Sequence, residues 1–152
     1  MSCINNDNLM LGDYVVYKDQ IYTVFKIAWP NEVGLVNNTC GEVHVYLFNT
    51  GHPEDTIYSV KLTKELLEQN GFSLVENCTS KWSYTDEYGN TIIISGSCDG
   101  SLCQTITIYT NSSSVANGYC RVVSELSITG LHNIQQLLKQ LHIKKEWKLQ
   151  TI

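Results

Sequence analysis

In the run Ile57–Phe72, IYSVKLTKELLEQNGF, an extended stretch passes into a short helix whose two ends are both specified. Thr63 stands where an N-cap hydroxyl accepts an otherwise unpaired N–H of the first turn. Gly71 stands at the left-handed C′ position of a Schellman ending, and Phe72 at C″ is spaced to touch Leu67 at C3. The run predicts a helix over Lys64–Asn70 that punctuates the chain, because both of its flanks read as β-structure.

On the N-terminal side the alternation has the period of two expected of half-buried strands. A turn at Gly12-Asp13 leads into Tyr14–Tyr17, and Lys18-Asp19-Gln20 turns into Ile21–Ile27. Pro30-Asn31 interrupts the chain before Val33–Val36. The polar cluster Asn37–Gly41 precedes Glu42–Phe48, in which Val43, Val45 and Leu47 share one face. After the loop Asn49–Asp55 comes the strand Thr56–Val60. Short strands so closely spaced predict an SH3-like β-barrel or a strongly bent sheet, since closure protects strand edges.

Beyond the helix the β pattern resumes. Lys81–Thr85 and Thr91–Ser95 flank a hairpin turn, Asp86-Glu87-Tyr88-Gly89-Asn90. Leu102–Tyr109 and Tyr119–Glu125 are further strands, separated by the polar stretch TNSSSVANG. Leu131, Ile134, Leu138 and Leu141 form one stripe of a helix over Leu131–His142, and Lys144–Leu149 reads as a short strand. The architecture expected is α+β: an N-terminal module over residues 1–61, a linking helix over 62–72, and an antiparallel sheet packed by a C-terminal helix over 73–152.

Charge separates the two halves. Residues 1–56 hold two lysines against seven carboxylates, a net −5, while the remaining residues balance. An acidic module repels a phosphate backbone, so nucleic acid is disfavoured as a partner. No apolar run approaches the roughly 20 residues of a membrane-spanning helix. The opening MSCINNDNLMLGDY has neither the basic nor the apolar region of a secretory signal, which points to the cytoplasm. In that compartment the six cysteines read as free thiols that fill space, and the sequons at Asn37, Asn77 and Asn111 carry no weight.

Three stretches in order, Leu11-Gly12-Asp13-Tyr14-Val15, VKLTKELLEQNGF over Val60–Phe72, and LHNIQQL over Leu131–Leu137, resemble a family of small uncharacterised proteins from Bacteroides-type gut bacteria. There the opener tends to read Gly-Asp-Trp-Val, and the middle stretch carries two prolines that this chain lacks. The last helix there often has glutamate where Asn133 stands. The resemblance implies an order of β-barrel, helix, sheet and final helix, and it implies no activity. A bacterial setting, including a phage or mobile element, would suit it.

Motifs that carry chemistry are sparse. Cys98 and Cys103 bracket a turn, but a structural zinc needs two such pairs, and no Cys-x-x-Cys exists, so no metal is expected. Gly96-Ser97-Cys98-Asp99-Gly100 misses the nucleophile-elbow spacing by one residue. Cys98 or Cys120 with His132 as base is the nucleophilic arrangement the composition permits, with nothing local to activate either thiol. Phosphate-cradling glycine motifs are absent, so neither a cofactor nor catalytic residues are assigned. Of His44, His52, His132 and His142, the first shares a strand face with Glu42 and Tyr46, and the last two mark the ends of the final helix. Lys139, Lys144, Lys145 and Lys148 are placed to meet that helix's dipole.

Aromatic residues give the one candidate surface. Tyr14, Tyr17, Tyr22, Trp29, Tyr46 and Tyr58 all fall in the first module. Barrels of this kind bind peptides or nucleic acids along aromatic grooves, although tyrosine and tryptophan also favour strands for their half-buried rings. With an acidic module the partner expected is a protein or peptide, basic or proline-rich. An exposed barrel edge would equally serve dimerisation, and the sequence fixes no oligomeric state. A non-catalytic interaction or accessory role is the expected function, ahead of nucleic-acid binding and of a Cys or Ser hydrolase.

Overall fold

The computed structural model describes residues 3–4, 8–28, 31–47, 56–96, 104–111 and 119–149, without the side chains of 111 and 119–125. It is an α+β chain with two antiparallel sheets and two helices among those residues. Contacts divide it into two units. The first holds Met1–Lys61, Gly130–Leu141 and Gln150–Ile152; the second holds Leu62–Thr129 and His142–Leu149. No helix of the described residues is long and apolar enough to cross a membrane.

In the first unit, strands β1 (Tyr14–Tyr17), β2 (Gln20–Ala28), β3 (Glu32–Asn37) and β4 (Gly41–Tyr46) form a meander, and β5 (Tyr58–Ser59) returns to pair with β1. The order β4-β3-β2-β1-β5 is an open sheet with β4 and β5 at its edges. Two residues join β1 to β2, Lys18 and Asp19, both left-handed with φ of 47° and 61°, as the tightest hairpins require. At the β3–β4 turn the Asn37 side chain accepts from the N–H groups of Thr39 and Cys40 at 2.7 and 3.1 Å. The alternate residues Val15, Tyr17, Tyr22, Val24, Val33, Leu35 and Val45 then share one face and bury with Ile4, Leu9 and Ile57.

Helix α2 (Leu131–Gln140) completes this unit and contacts β1. Its apolar stripe is the expected one, with Leu131, Ile134 and Leu138 buried. Its location corrects the sequence reading, which set it over the second sheet. The physical reason lies in its polar residues. Gln136 Nε2 donates to Asp13 Oδ2 at 2.6 Å and to the Asn8 carbonyl at 2.9 Å. Gln135 Oε1 accepts from Tyr14 N at 2.9 Å, and Lys139 Nζ donates to the Leu11 carbonyl at 3.2 Å. A stripe shows that a helix buries one side; these bonds decide where.

The second unit opens with α1 (Lys64–Gln69), whose ends form as the sequence predicts. Thr63 Oγ1 accepts from Leu66 N at 3.2 Å. Gly71 has φ +84°, Phe72 N donates to Leu67 O at 3.0 Å and Gly71 N to Glu68 O at 3.1 Å, the two bonds of a Schellman ending. The sheet runs β10-β9-β8-β7-β6, with β6 (Ser73–Leu74), β7 (Lys81–Thr85), β8 (Thr91–Ser95), β9 (Gln104–Asn111) and β10 (Tyr119–Ile128). Facing pairs Ile92–Ile108 and Ile94–Ile106 supply its buried centre, beside Trp82. The β7–β8 turn is tied by Asp86, whose carboxylate accepts from the N–H groups of Tyr88 and Asn90.

Lys144–Leu149 is not a strand. Past His142, itself left-handed at φ 55°, the chain forms an irregular strap with Ile143 and Trp147 buried. The Asn70 side chain stands in for a strand partner. Its Oδ1 accepts from Lys148 N at 2.6 Å and its Nδ2 donates to Lys148 O at 2.9 Å, so one amide satisfies both backbone groups.

Candidate functional site

The two-residue period assigns the outer face of the first sheet. With Val33, Leu35 and Val45 inward, Glu32, Gly34, His44 and Tyr46 point outward. Gly34 lies opposite His44 and Glu32 opposite Tyr46. A register shift between Val24 and Lys26 then sets both Phe25 and Lys26 against Gly34. Gly34 is buried beneath them: a Cβ there would lie 2.8 Å from Lys26 Cβ and from Phe25 Cζ.

Across that glycine the Phe25 ring meets His44 edge-on, with centroids 5.8 Å apart and planes at 80°. One carboxylate oxygen organises the polar part. Glu32 Oε1 accepts from Lys26 Nζ at 3.0 Å and pairs with His44 Nδ1 at 2.9 Å. The Lys26 hydrogen bond is the main reason its carboxyl lies below the usual range; slight desolvation opposes it and the His44 bond assists. These groups are exposed, so they add little to stability. Around them Phe25 and Tyr46 leave 38% and 52% of their surface open. A fixed carboxylate edged by aromatic and apolar surface can take a cationic side chain, stem on the rings and head at Glu32.

Of the aromatic residues singled out in the sequence, Tyr46 belongs to this face. Tyr17 and Tyr22 do not: both are buried and pack edge-to-face, centroids 6.0 Å apart. Burial first, and then a hydrogen bond with Cys40, pushes the Tyr22 hydroxyl's pKa up. Tyr14 and Tyr58 are half-buried on β1 and β5, and Trp29 lies outside the described residues. The sequence reading set His44 on one face with Tyr46, but it missed Phe25, Lys26 and Glu32 as their neighbours because a β-bulge brings them together. The available signal was Gly34, since a glycine inside a strand pattern marks a bulge or a close approach.

The nucleophile candidates do not assemble into a described site. Cys98 and Cys103 lie outside the described residues, as does the side chain of Cys120. His132 is buried, its Nδ1 has no hydrogen-bond partner, and burial pushes its pKa below the ordinary value. Among the described residues no three His, Cys, Asp or Glu side chains are placed to hold a metal ion. In the second unit a half-open groove of about 440 Å³ is lined by Lys64, Glu68, Phe72, Leu74 and Trp82 with two hydroxyl residues, Ser73 and Thr79. Its one charged pair, Lys64 and Glu68 at 3.8 Å, is an exposed i,i+4 contact along α1. Compared with protein-family models, curated proteins and solved structures, the chain matches none.

Proposed function

We propose that the chain is a non-catalytic interaction protein whose first unit binds a basic protein segment on the outer face of β2–β4. The observation that carries this reading is Glu32, oriented by Lys26 and His44 and edged by exposed Phe25 and Tyr46. The net −5 of residues 1–56 would attract such a partner and repel nucleic acid. Edge strand β4, carrying His44 and Tyr46, would let an extended peptide add to the sheet beside them. The same proposal takes the five strands as an SH3-like module, on the grounds that the fifth strand of the meander returns to the first and β2 carries a bulge. It takes α1 as the join to the second unit. The bacterial setting, with a phage or mobile-element origin, rests on the resemblance of the three stretches alone, and the cytoplasm is proposed with it.

A panel of lysine- and arginine-rich peptides, titrated at low salt and followed by amide chemical shifts, tests the reading. Binding should perturb β2–β4, weaken with added salt, and fall about tenfold or more in Phe25→Ala/Tyr46→Ala and in Glu32→Gln. Absence of peptide binding, or binding unchanged in those variants, overturns it. Preferential binding of a single-stranded oligonucleotide overturns the choice of partner.

A further inference from the structure

In the second unit one lysine is satisfied almost wholly by aromatic rings. Lys145 Nζ lies 3.7 Å from the Tyr84 ring centroid, 5.1 Å from that of Trp147 and 5.6 Å from that of Phe72. It also donates to the Asn70 carbonyl at 2.8 Å. Among the described residues no carboxylate pairs with it. Burial, and then the charge of Lys148, pushes its pKa below the ordinary lysine value. The side chain is nonetheless only half-buried, so its long stem can reach solvent.

The walls do not depend on the lysine. Phe72 and Trp147 are 3% and 8% exposed and stack at 6.0 Å and 21°. Tyr84 leans on Phe72 at 5.4 Å from strand β7. Trp147 is further held by its neighbour Lys148, whose backbone both gives to and takes from the Asn70 amide. Rings around an ammonium, completed by one carbonyl, are how proteins take up alkylammonium ligands, through ring quadrupoles and exclusion of water.

We propose that Phe72, Tyr84, Trp147 and the Asn70 carbonyl form an alkylammonium-binding site that Lys145 keeps closed. Its ligand class is a methylated or quaternary ammonium, which is more weakly hydrated than the primary ammonium now in place. Because Lys145 is tethered, its effective concentration is in the millimolar range or higher, and a free ligand enters only when that side chain is withdrawn.

The test uses choline as the probe, 3,3-dimethylbutanol as its neutral isostere, and the Trp147 indole N–H resonance as the readout. Lys145→Ala should give a saturable choline response, at least about tenfold stronger than the unsubstituted protein. The neutral isostere should give none, and adding Tyr84→Leu should weaken the choline response about tenfold. Lys145→Arg should stay closed. A native-like Lys145→Ala that ignores choline, or that takes both probes equally, overturns the proposal. If Lys145→Ala loses its native β7–β8 amide pattern, choline should restore it and the isostere should not; failure of that rescue overturns the proposal as well.

Discussion

At Gly34 a single methyl group decides the shape of the outer face. Phe25 Cζ and Lys26 Cβ already occupy the space where a Cβ would go, so alanine must push the ring off the strand and disturb its contact with His44. Gly34→Ala should therefore destabilise the first unit by about 1–3 kcal/mol, read from urea unfolding, and shift the His44 ring resonances. Two buried titratable residues act with opposite signs. Burial depresses His132 below its ordinary 6.5, so just below that pH the unfolded chain binds a proton that the folded chain refuses. Its contribution is present above about pH 6.5 and is lost on acidification. Asp13 is raised from its ordinary 3.8, chiefly by burial, with bonds from Met10 and Gln136 and the charge of Lys139 opposing. The folded chain then keeps a proton that the unfolded chain gives up, and stability declines as pH rises from about 3.8 through the folded value. His132→Leu should flatten the first slope and be neutral or stabilising at pH 7, because it removes a buried nitrogen without a partner. Asp13→Asn should flatten only the second, since an amide oxygen can still accept from Met10 and Gln136. Unfolding followed from pH 4 to 8 on both variants checks the signs.

Among the elements, those read correctly are the ones whose causes are local. Both ends of α1 are fixed within ten residues, Thr63 to Phe72, and both formed as the capping rules require. Thr63→Ala should accordingly cost about 1 kcal/mol, measured by thermal unfolding, with Thr63→Ser restoring most of it. The hairpin partners Lys81–Thr85 and Thr91–Ser95 are equally local, joined through Asp86. The elements misread are decided at a distance. Residues 144–149 alternate as a strand would, yet their backbone partner is a side-chain amide 78 positions away at Asn70. The bulge that gathers Phe25, Lys26 and His44 depends on how β2 meets β3, and in the sequence only Gly34 hinted at it. Lys145 looked like a dipole partner for α2; its cage came from Phe72, Tyr84 and Trp147, which no spacing rule connects.

For the whole molecule, the order of the chain and the order of the units differ. The first unit takes its helix from Gly130–Leu141, and the second takes its strap from His142–Leu149, so each is built from segments far apart in sequence. A cut after Lys61 would therefore not release a complete first unit. It would remove Leu131, Ile134 and Leu138 from burial, and it would leave Asp13 without the Gln136 bond and Leu131's bond to Val60 unmade. Burial of three large aliphatic side chains is worth several kcal/mol at about 1.5–3 kcal/mol each, a large share of the stability of a module this small. A fragment of residues 1–61 should accordingly give a poorly dispersed amide spectrum or a low urea midpoint. Adding a peptide of residues 130–141 should recover dispersion at β1 and at Asp13, and the same peptide with Ile134→Ala and Leu138→Ala should fail to do so. A fragment already as stable alone as with the peptide would mean that the sheet holds its core unaided and that α2 is dispensable to it. The predicted dependence follows from long-range bonds at Asp13 and Tyr14, because those residues commit a helix to a strand that precedes it by more than a hundred positions.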